Sequence, residues 1–160
     1  MGLKDYKKKR DFAETPEPKG KVRAKKKTEP IFVVQKHHAR ALHYDFRLEV
    51  DGTLKSWAVP KGPPEATGEK RLAVMVEDHP LEYAKFEGEI PEGHYGAGTV
   101  EIWDKGTYRN IKDYSIGSSI TKGQIEVELK GKKLKGPYAL VRTRMGGKDK
   151  NWLMIKMKER

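Results

Sequence analysis

Residues 36–60 read KHHARALHYDFRLEVDGTLKSWAVP, and this stretch decides the fold. Asp51-Gly52 is a strong two-residue hairpin signal, because a type I′ turn needs φ > 0 at both central residues. On either side the residues alternate as strands do, with successive side chains on opposite faces. His43, Asp45 and Arg47 fall on one face; Tyr44, Phe46, Leu48 and Val50 fall on the other. A two-residue turn also sets the register. It predicts Phe46 opposite Trp57, Tyr44 opposite Val59, Asp45 opposite Ala58 and Arg47 opposite Ser56. The aromatic pairs suit a core face. Small partners beside Asp45 and Arg47 leave room above the polar face, as a site requires.

The remaining chain continues in the same style. Ile31 to Gln35 reads as an apolar strand that bends through His37-His38-Ala39-Arg40 into the hairpin. Pro60 to Gly68 is a loop, and Arg71 to Glu77 alternates again. Asp78-His79-Pro80 is expected to open a short helical turn, with Pro80 at its first position. His79 and Tyr83 would then share one helical face. PEGHYGAG, residues 91–98, is a glycine-rich loop. Further strands are expected over 99–104, 123–130, 137–143 and 152–157, with turns at Lys105-Gly106, Gly131 and Gly146-Gly147. Short strands, regular turns and little helical periodicity predict an all-β barrel or sandwich.

The chain has 160 residues, suited to one domain with a real core. Its 34 Lys+Arg against 23 Asp+Glu leave a net charge of +11. That balance favours polyanions, with nucleic acid ahead of acidic membrane; a plain soluble basic surface is the simpler alternative. There is no cysteine. Disulfides and thiolate metal sites are excluded, so any metal must use His, Asp, Glu or water. No apolar run reaches the length of a membrane span and no secretory signal is read, so the cytoplasm is the expected compartment. Residues 1–28 carry eleven Lys/Arg against four Asp/Glu. They read as a basic, partly flexible arm ahead of a single domain over 29–160.

Chemistry concentrates on the polar face of the hairpin. His43 and Asp45, one residue apart on a strand, converge on a point. His37, brought close by the bend, would complete two imidazoles and a carboxylate, which suits a divalent transition metal with open positions. Surface histidines with ordinary hydrogen bonds are the alternative. Arg47 would clamp a phosphate bidentately beside such a metal, or else form a salt bridge. His79 and Tyr83 would add a donor and a hydroxyl, or else serve as a cap and a buried aromatic. PEGHYGAG lacks the Walker pattern and its strand-to-helix context, so it reads as structural, with His94 a candidate contact. A Lys-x-Asp-Gly nucleotidyl-transfer motif is absent, so no lysyl-adenylate is expected.

Two long stretches make the reading specific: KHHARALHYDFRLEVDGTLKSWAVPKGP (36–63) and RLAVMVEDHPLEYAKFEGEIPEGHYGAG (71–98). They resemble the 3′-phosphoesterase domain of bacterial DNA ligase D and its free-standing archaeal and bacterial relatives. RDFAETPEP (10–18) resembles that family's N-terminal segment. The resemblance implies a compact, mainly antiparallel β-barrel with a few short helices. It implies a manganese-dependent enzyme that removes a 3′-terminal ribonucleoside and then the 3′-phosphate, leaving a 3′-OH, in non-homologous end joining. Other divalent transition metals fit the same donors. By this resemblance His37, His43 and Asp45 hold the metal, Arg47 and His79 bind phosphate, and Tyr83 assists. Lys61 and Arg71 match further substrate-binding positions, and Arg10, Asp11, Glu17 and Glu77 match supporting ones. The arm would then fold over the site. DNA 3′ ends, a separately encoded ligase and other end-joining proteins are the implied partners, with no membrane. His38 departs from the family pattern; it either competes as a ligand or faces away. Two rival readings remain: a non-catalytic basic module that binds DNA ends, and a phosphoesterase for RNA or 2′,3′-cyclic phosphate ends.

Overall fold

A computed structural model describes residues 3–10, 17, 29–144 and 149–159. Nine strands dominate: β1 (Ile31–His38), β2 (Leu42–Val50), β3 (Thr53–Val59), β4 (Lys70–Pro80), β5 (Gly88–Ile90), β6 (Gly98–Asn110), β7 (Gln124–Lys130), β8 (Lys135–Arg142) and β9 (Asn151–Lys156). All pairings are antiparallel, in the order β1-β2-β3-β4-β9-β8-β7-β6. β6 also pairs with β1, so eight strands close into a barrel, while β5 extends the edge of β6. Closure removes the open edges that a sheet of this length would expose. The helices among the described residues are short: α1 (Lys4–Lys8) and α2 (Ile116–Lys122), with one 3₁₀ turn, Leu81–Lys85. None is long and apolar enough to cross a membrane.

The hairpin adopts the register that its turn dictates. Asp51 and Gly52 have φ of 52° and 82°, and Phe46↔Trp57, Tyr44↔Val59, Asp45↔Ala58 and Arg47↔Ser56 pair as expected. One face of each strand fills the barrel. Phe32, Val34, Phe46, Leu48, Trp57, Val59, Ala73, Tyr108, Ile125, Tyr138 and Trp152 form one cluster there. The opposite face of β1 to β3 carries a second cluster with Val33 and Leu54, which seats Tyr6 of α1, Tyr83 and Ala84 of the 3₁₀ turn, Phe86, Ile90 and Val100. A five-residue helix does not hold its shape alone in water. α1 is held by packing, with Tyr6 fully buried and the Arg10 guanidinium 4.0 Å from its ring centroid.

Two local expectations are corrected. A short helical turn does follow Asp78-His79-Pro80, but it is a 3₁₀ turn over Leu81–Lys85 with Pro80 as its cap, and Asp78 and His79 belong to the end of β4. The register of β4 slips against β3, since Leu54 pairs with His79 but Ser56 with Val76. This bulge puts one extra residue on β4 and reverses its alternation. Val76 and His79 therefore share the outer face, where strict alternation would have placed Asp78. Asp78 instead receives a 2.9 Å bond from Lys55. Lys105-Gly106 is likewise no turn, for it lies inside the thirteen-residue β6. β6 leaves β1 for β7 at this point, and a Cβ at Gly106 would run into the Lys130 carbonyl. The glycine marks close backbone approach.

Candidate active site

The polar face of the hairpin looks outward from the barrel into a cleft of about 240 Å³. β1 contributes His37, and β2 contributes His43, Asp45 and Arg47. β3 contributes Ala58, and β4 contributes Val76, Glu77 and His79. Tyr83 enters from the 3₁₀ turn, Arg10 from beyond α1, and Tyr95 and Gly96 from the glycine-rich loop. β1 and β2 place His37 directly across from His43, which is why residues six apart in sequence meet.

His37, His43 and Asp45 offer three donor atoms within 4.8 Å of one another. The outer nitrogen of each ring is committed. His37 Nε2 donates to the Gly96 carbonyl at 2.7 Å and His43 Nδ1 to the Ala41 carbonyl at 3.2 Å. Carbonyl oxygens only accept, so these bonds assign the tautomers. His37 Nδ1 and His43 Nε2 are left as lone pairs, 3.7 and 3.3 Å from the Asp45 carboxylate. Three lone-pair donors facing one another repel unless a cation or a proton lies among them. Backbone carbonyls behind metal-ligating imidazoles are the usual orienting arrangement, so the donor set fits a divalent metal. The electrostatics agree. Burial opposes ionisation of Asp45, but Arg47 and both imidazoles outweigh it and hold its carboxyl well below the usual range. A proton arriving on His43 Nε2 would bond to the Asp45 carboxylate, which raises the pKa of His43 against the effect of its own burial.

Arg47 is 3 % exposed and tightly fixed. Its Nε donates to Gln35 Oε1 at 2.7 Å, Nη2 lies 3.5 Å from Asp45, and the guanidinium sits 4.9 Å from the Tyr83 ring centroid. Nη1 is buried with no partner among the described residues. A charged donor buried without a partner is costly unless an anion completes it.

Arg10 forms a second layer. Its Nε donates to Glu17 at 2.8 Å, Nη1 lies 3.4 Å from Glu77, and Nη2 donates to His79 Nε2 at 3.4 Å. His79 Nδ1 donates to the Glu77 carbonyl at 3.1 Å, so the imidazole is neutral. Burial first, then the charges of Arg47 and Arg10, push its pKa well below the ordinary value. The Tyr83 hydroxyl donates to Glu17 at 3.0 Å, and burial raises its pKa.

The cleft thus gathers His37, His43, Asp45, Arg47, His79, Tyr83, Arg10 and Glu77, with Glu17 behind it. Lys61 and Arg71 lie apart from its lining; Arg71 donates to the Lys61 carbonyl at 2.6 Å and pairs with Glu69 at 2.7 Å. Asp11 lies outside the described residues. His38 points away from the triad, toward Glu101 at 3.5 Å and in solvent. His94 does not line the cleft, whereas its neighbours Tyr95 and Gly96 do. Gln35 is a residue that sequence reasoning missed. Fully buried, it accepts from Arg47 and donates to the carbonyls of Tyr83 and Phe86 at 2.7 and 3.1 Å. One side chain ties the guanidinium to the turn that carries Tyr83. A lone amide in the apolar run IFVVQ, in phase with His37, was the available signal.

Residues 35–142 match the family model described as the DNA ligase D 3′-phosphoesterase domain. The chain belongs to this family. It is 53 % identical over 158 residues to the multifunctional non-homologous end joining protein LigD of Pseudomonas aeruginosa, covering 98 % of this chain and 19 % of that protein. Identity to the LigD proteins of Mycolicibacterium smegmatis and Mycobacterium tuberculosis is 49 % over 162 residues and 47 % over 156. Each alignment covers 98 % of this chain, and 21 % and 20 % of the respective relative. The chain therefore spans about one fifth of the length of the relatives it matches. For this phosphoesterase family the triad is a candidate metal centre, and the cleft places it beside the buried Arg47 guanidinium.

Proposed function

We propose that this domain is a manganese-dependent 3′-end-healing enzyme that acts on DNA ends in non-homologous end joining. It removes a 3′-terminal ribonucleoside to leave a 3′-phosphate, then removes that phosphate to leave a 3′-OH. The observation that carries this reading is the unpartnered Arg47 Nη1, buried beside the His37/His43/Asp45 set. A metal centre alone has no need of that free donor, and a scissile phosphate does.

His37 Nδ1, His43 Nε2 and an Asp45 oxygen would hold the metal. When bound, it would polarise a phosphoryl oxygen and lower the pKa of water. Arg47 offers Nη1 to a second phosphoryl oxygen and meets charge as it develops. In each step water adds to phosphorus, the bond to the departing oxygen breaks, and that oxygen leaves with a proton. His79 Nε2 accepts from Arg10, so in this arrangement it orients Arg10 and has no proton to give there. Tyr83 keeps its proton under working conditions and shares it with Glu17, which makes it the better-placed donor once substrate draws the hydroxyl away. Arg10 and Glu17 from the N-terminal arm, with Glu77 of β4, brace this layer. The net charge of +11 supplies sequence-independent attraction to the duplex. A DNA ligase activity would seal the healed end.

The test uses two oligonucleotides, one ending in a 3′-ribonucleoside and one in a 3′-phosphate, with manganese, without it, and with a chelator. Nucleoside and phosphate release that requires manganese supports the proposal. Binding without release, or release indifferent to the chelator, refutes it.

A further inference from the structure

We propose that Tyr95 is the platform on which the base of the departing 3′-terminal nucleoside stacks. The inference rests on the phosphoesterase reading and names a subsite within it.

Tyr95 is 48 % exposed, one of three large apolar side chains so exposed among the described residues. The others are Leu42 and Leu72, and Tyr95 alone of the three lines the cleft. An aromatic ring open to water at the rim of a site built for phosphate is a surface awaiting a partner. Its position is fixed. The loop is pinned by two successive turns, His94 N to the Pro91 carbonyl at 3.3 Å and Ala97 N to the His94 carbonyl at 3.1 Å. The hydroxyl donates to Glu77 at 3.4 Å and accepts from Lys9 at 3.5 Å, and the Lys9 ammonium lies 4.6 Å from the ring centroid. The Arg10 guanidinium also lies over the ring, 5.3 Å from its centroid, so the ring is held by its hydroxyl and by cations over its π-surface while about half of it stays exposed.

Cleft size decides what reaches it. At about 240 Å³ the cavity is smaller than the roughly 300–1,000 Å³ that encloses a drug-sized ligand. A phosphate beside the triad fits within, together with part of a sugar. The base of the leaving nucleoside must lie at the mouth, where Tyr95 stands. Stacking on an aromatic ring tolerates every base, because each has a π-face. An end-healing enzyme needs that tolerance, since the terminal base is arbitrary. Once the nucleoside has gone, the 3′-phosphate substrate has nothing left to stack there, so the platform acts on the first step.

A substrate–protein cycle tests this. Ribonucleoside release is measured from a 3′-terminal ribonucleoside and from its abasic ribose analogue, with wild type, Tyr95→Ala and Tyr95→Phe. In wild type the base should raise kcat/KM about 10-fold. In Tyr95→Ala that ratio should fall to about one, and in Tyr95→Phe it should stay near the wild-type value. An unchanged ratio in Tyr95→Ala overturns the proposal. So does a Phe variant that behaves like Ala, since the hydroxyl's bonds to Glu77 and Lys9 would then be the ring's whole purpose. Damage to the shared machinery lowers both substrates together and leaves the ratio intact, so it too counts against a platform. Wild type inert on both the ribonucleoside and the 3′-phosphate end would refute the phosphoesterase reading itself.

Discussion

Replacing Gln35 with methionine keeps the volume and removes the polar groups. Three bonds disappear: those to the Tyr83 and Phe86 carbonyls and the one from Arg47 Nε. The Tyr83 carbonyl still accepts from Phe86 N at 3.0 Å, so it is not stranded. The Phe86 carbonyl loses its side-chain donor, at about 1–3 kcal/mol, and the buried guanidinium loses a charge-assisted bond, at about 1.5–3 kcal/mol. The sum is about 2.5–6 kcal/mol, against the roughly 5–15 kcal/mol that holds a typical domain. The variant should fold, with Tm lowered by about 10 °C. Arg47 would keep its ion pair with Asp45 but lose the tie that aims Nη1. A misplacement of about 1 Å costs on the order of 100-fold in rate. The assay pairs urea denaturation with initial rates of phosphate release at saturating manganese. Wild-type kcat in a variant destabilised by several kcal/mol would show that Gln35 supports the fold and does not aim Arg47. Unchanged stability would refute the hydrogen-bond accounting as well.

Asp104, buried on β6, accepts four backbone N–H bonds, from Lys105, Lys132, Lys133 and Leu134, at 2.8–3.1 Å. Asp104→Asn turns one acceptor oxygen into a donor facing N–H groups, so denaturation should show a loss of about 3 kcal/mol; a loss below about 1 kcal/mol contradicts this role. His79 supplies a pH signature. Its folded pKa lies below the unfolded value, so below about pH 6.5 the unfolded chain takes a proton that the folded chain refuses. Stability should fall with falling pH there, by up to about 1.4 kcal/mol per pH unit for this group. His43, with a raised pKa, contributes stability below about pH 6.5 that is lost as pH rises through its folded value. Comparing metal-free wild type with His79→Asn isolates the first effect: the variant's stability should depend less on pH below 6.5, and parallel curves would contradict it.

The hairpin was legible because its turn residues fix register, and register fixes which side chains share a face. The same logic joined His43, Asp45 and Arg47 before any coordinates. It failed by one residue at Asp78-His79-Pro80, where the helical turn starts only after Pro80 and the bulge that keeps His79 in β4 is revealed by the partner strand alone. It failed again at Gly106, since a glycine required for close approach looks like a glycine required for a turn. α1 was hidden because five residues are too few for a periodic pattern, and its stability comes from Tyr6 packing on a distant strand wall. α2 is equally short, although its signals were present: Ser115 Oγ accepts from Ser118 N, and Gly123 closes it with φ of 79°. The roles of Gln35 and Tyr95 depend on where β1, the 3₁₀ turn and the glycine-rich loop meet, which no single stretch encodes.

Manganese binding by wild type and His43→Ala, followed through the loss of the free-ion EPR signal on metal-free protein, tests the central claim most directly. Wild type should titrate to one site, and the variant should bind at least about 100-fold more weakly while keeping its fold by circular dichroism and releasing no phosphate. A wild type that binds no manganese, or a His43→Ala protein that binds and turns over like wild type, would contradict the assignment of His37, His43 and Asp45 as the metal centre.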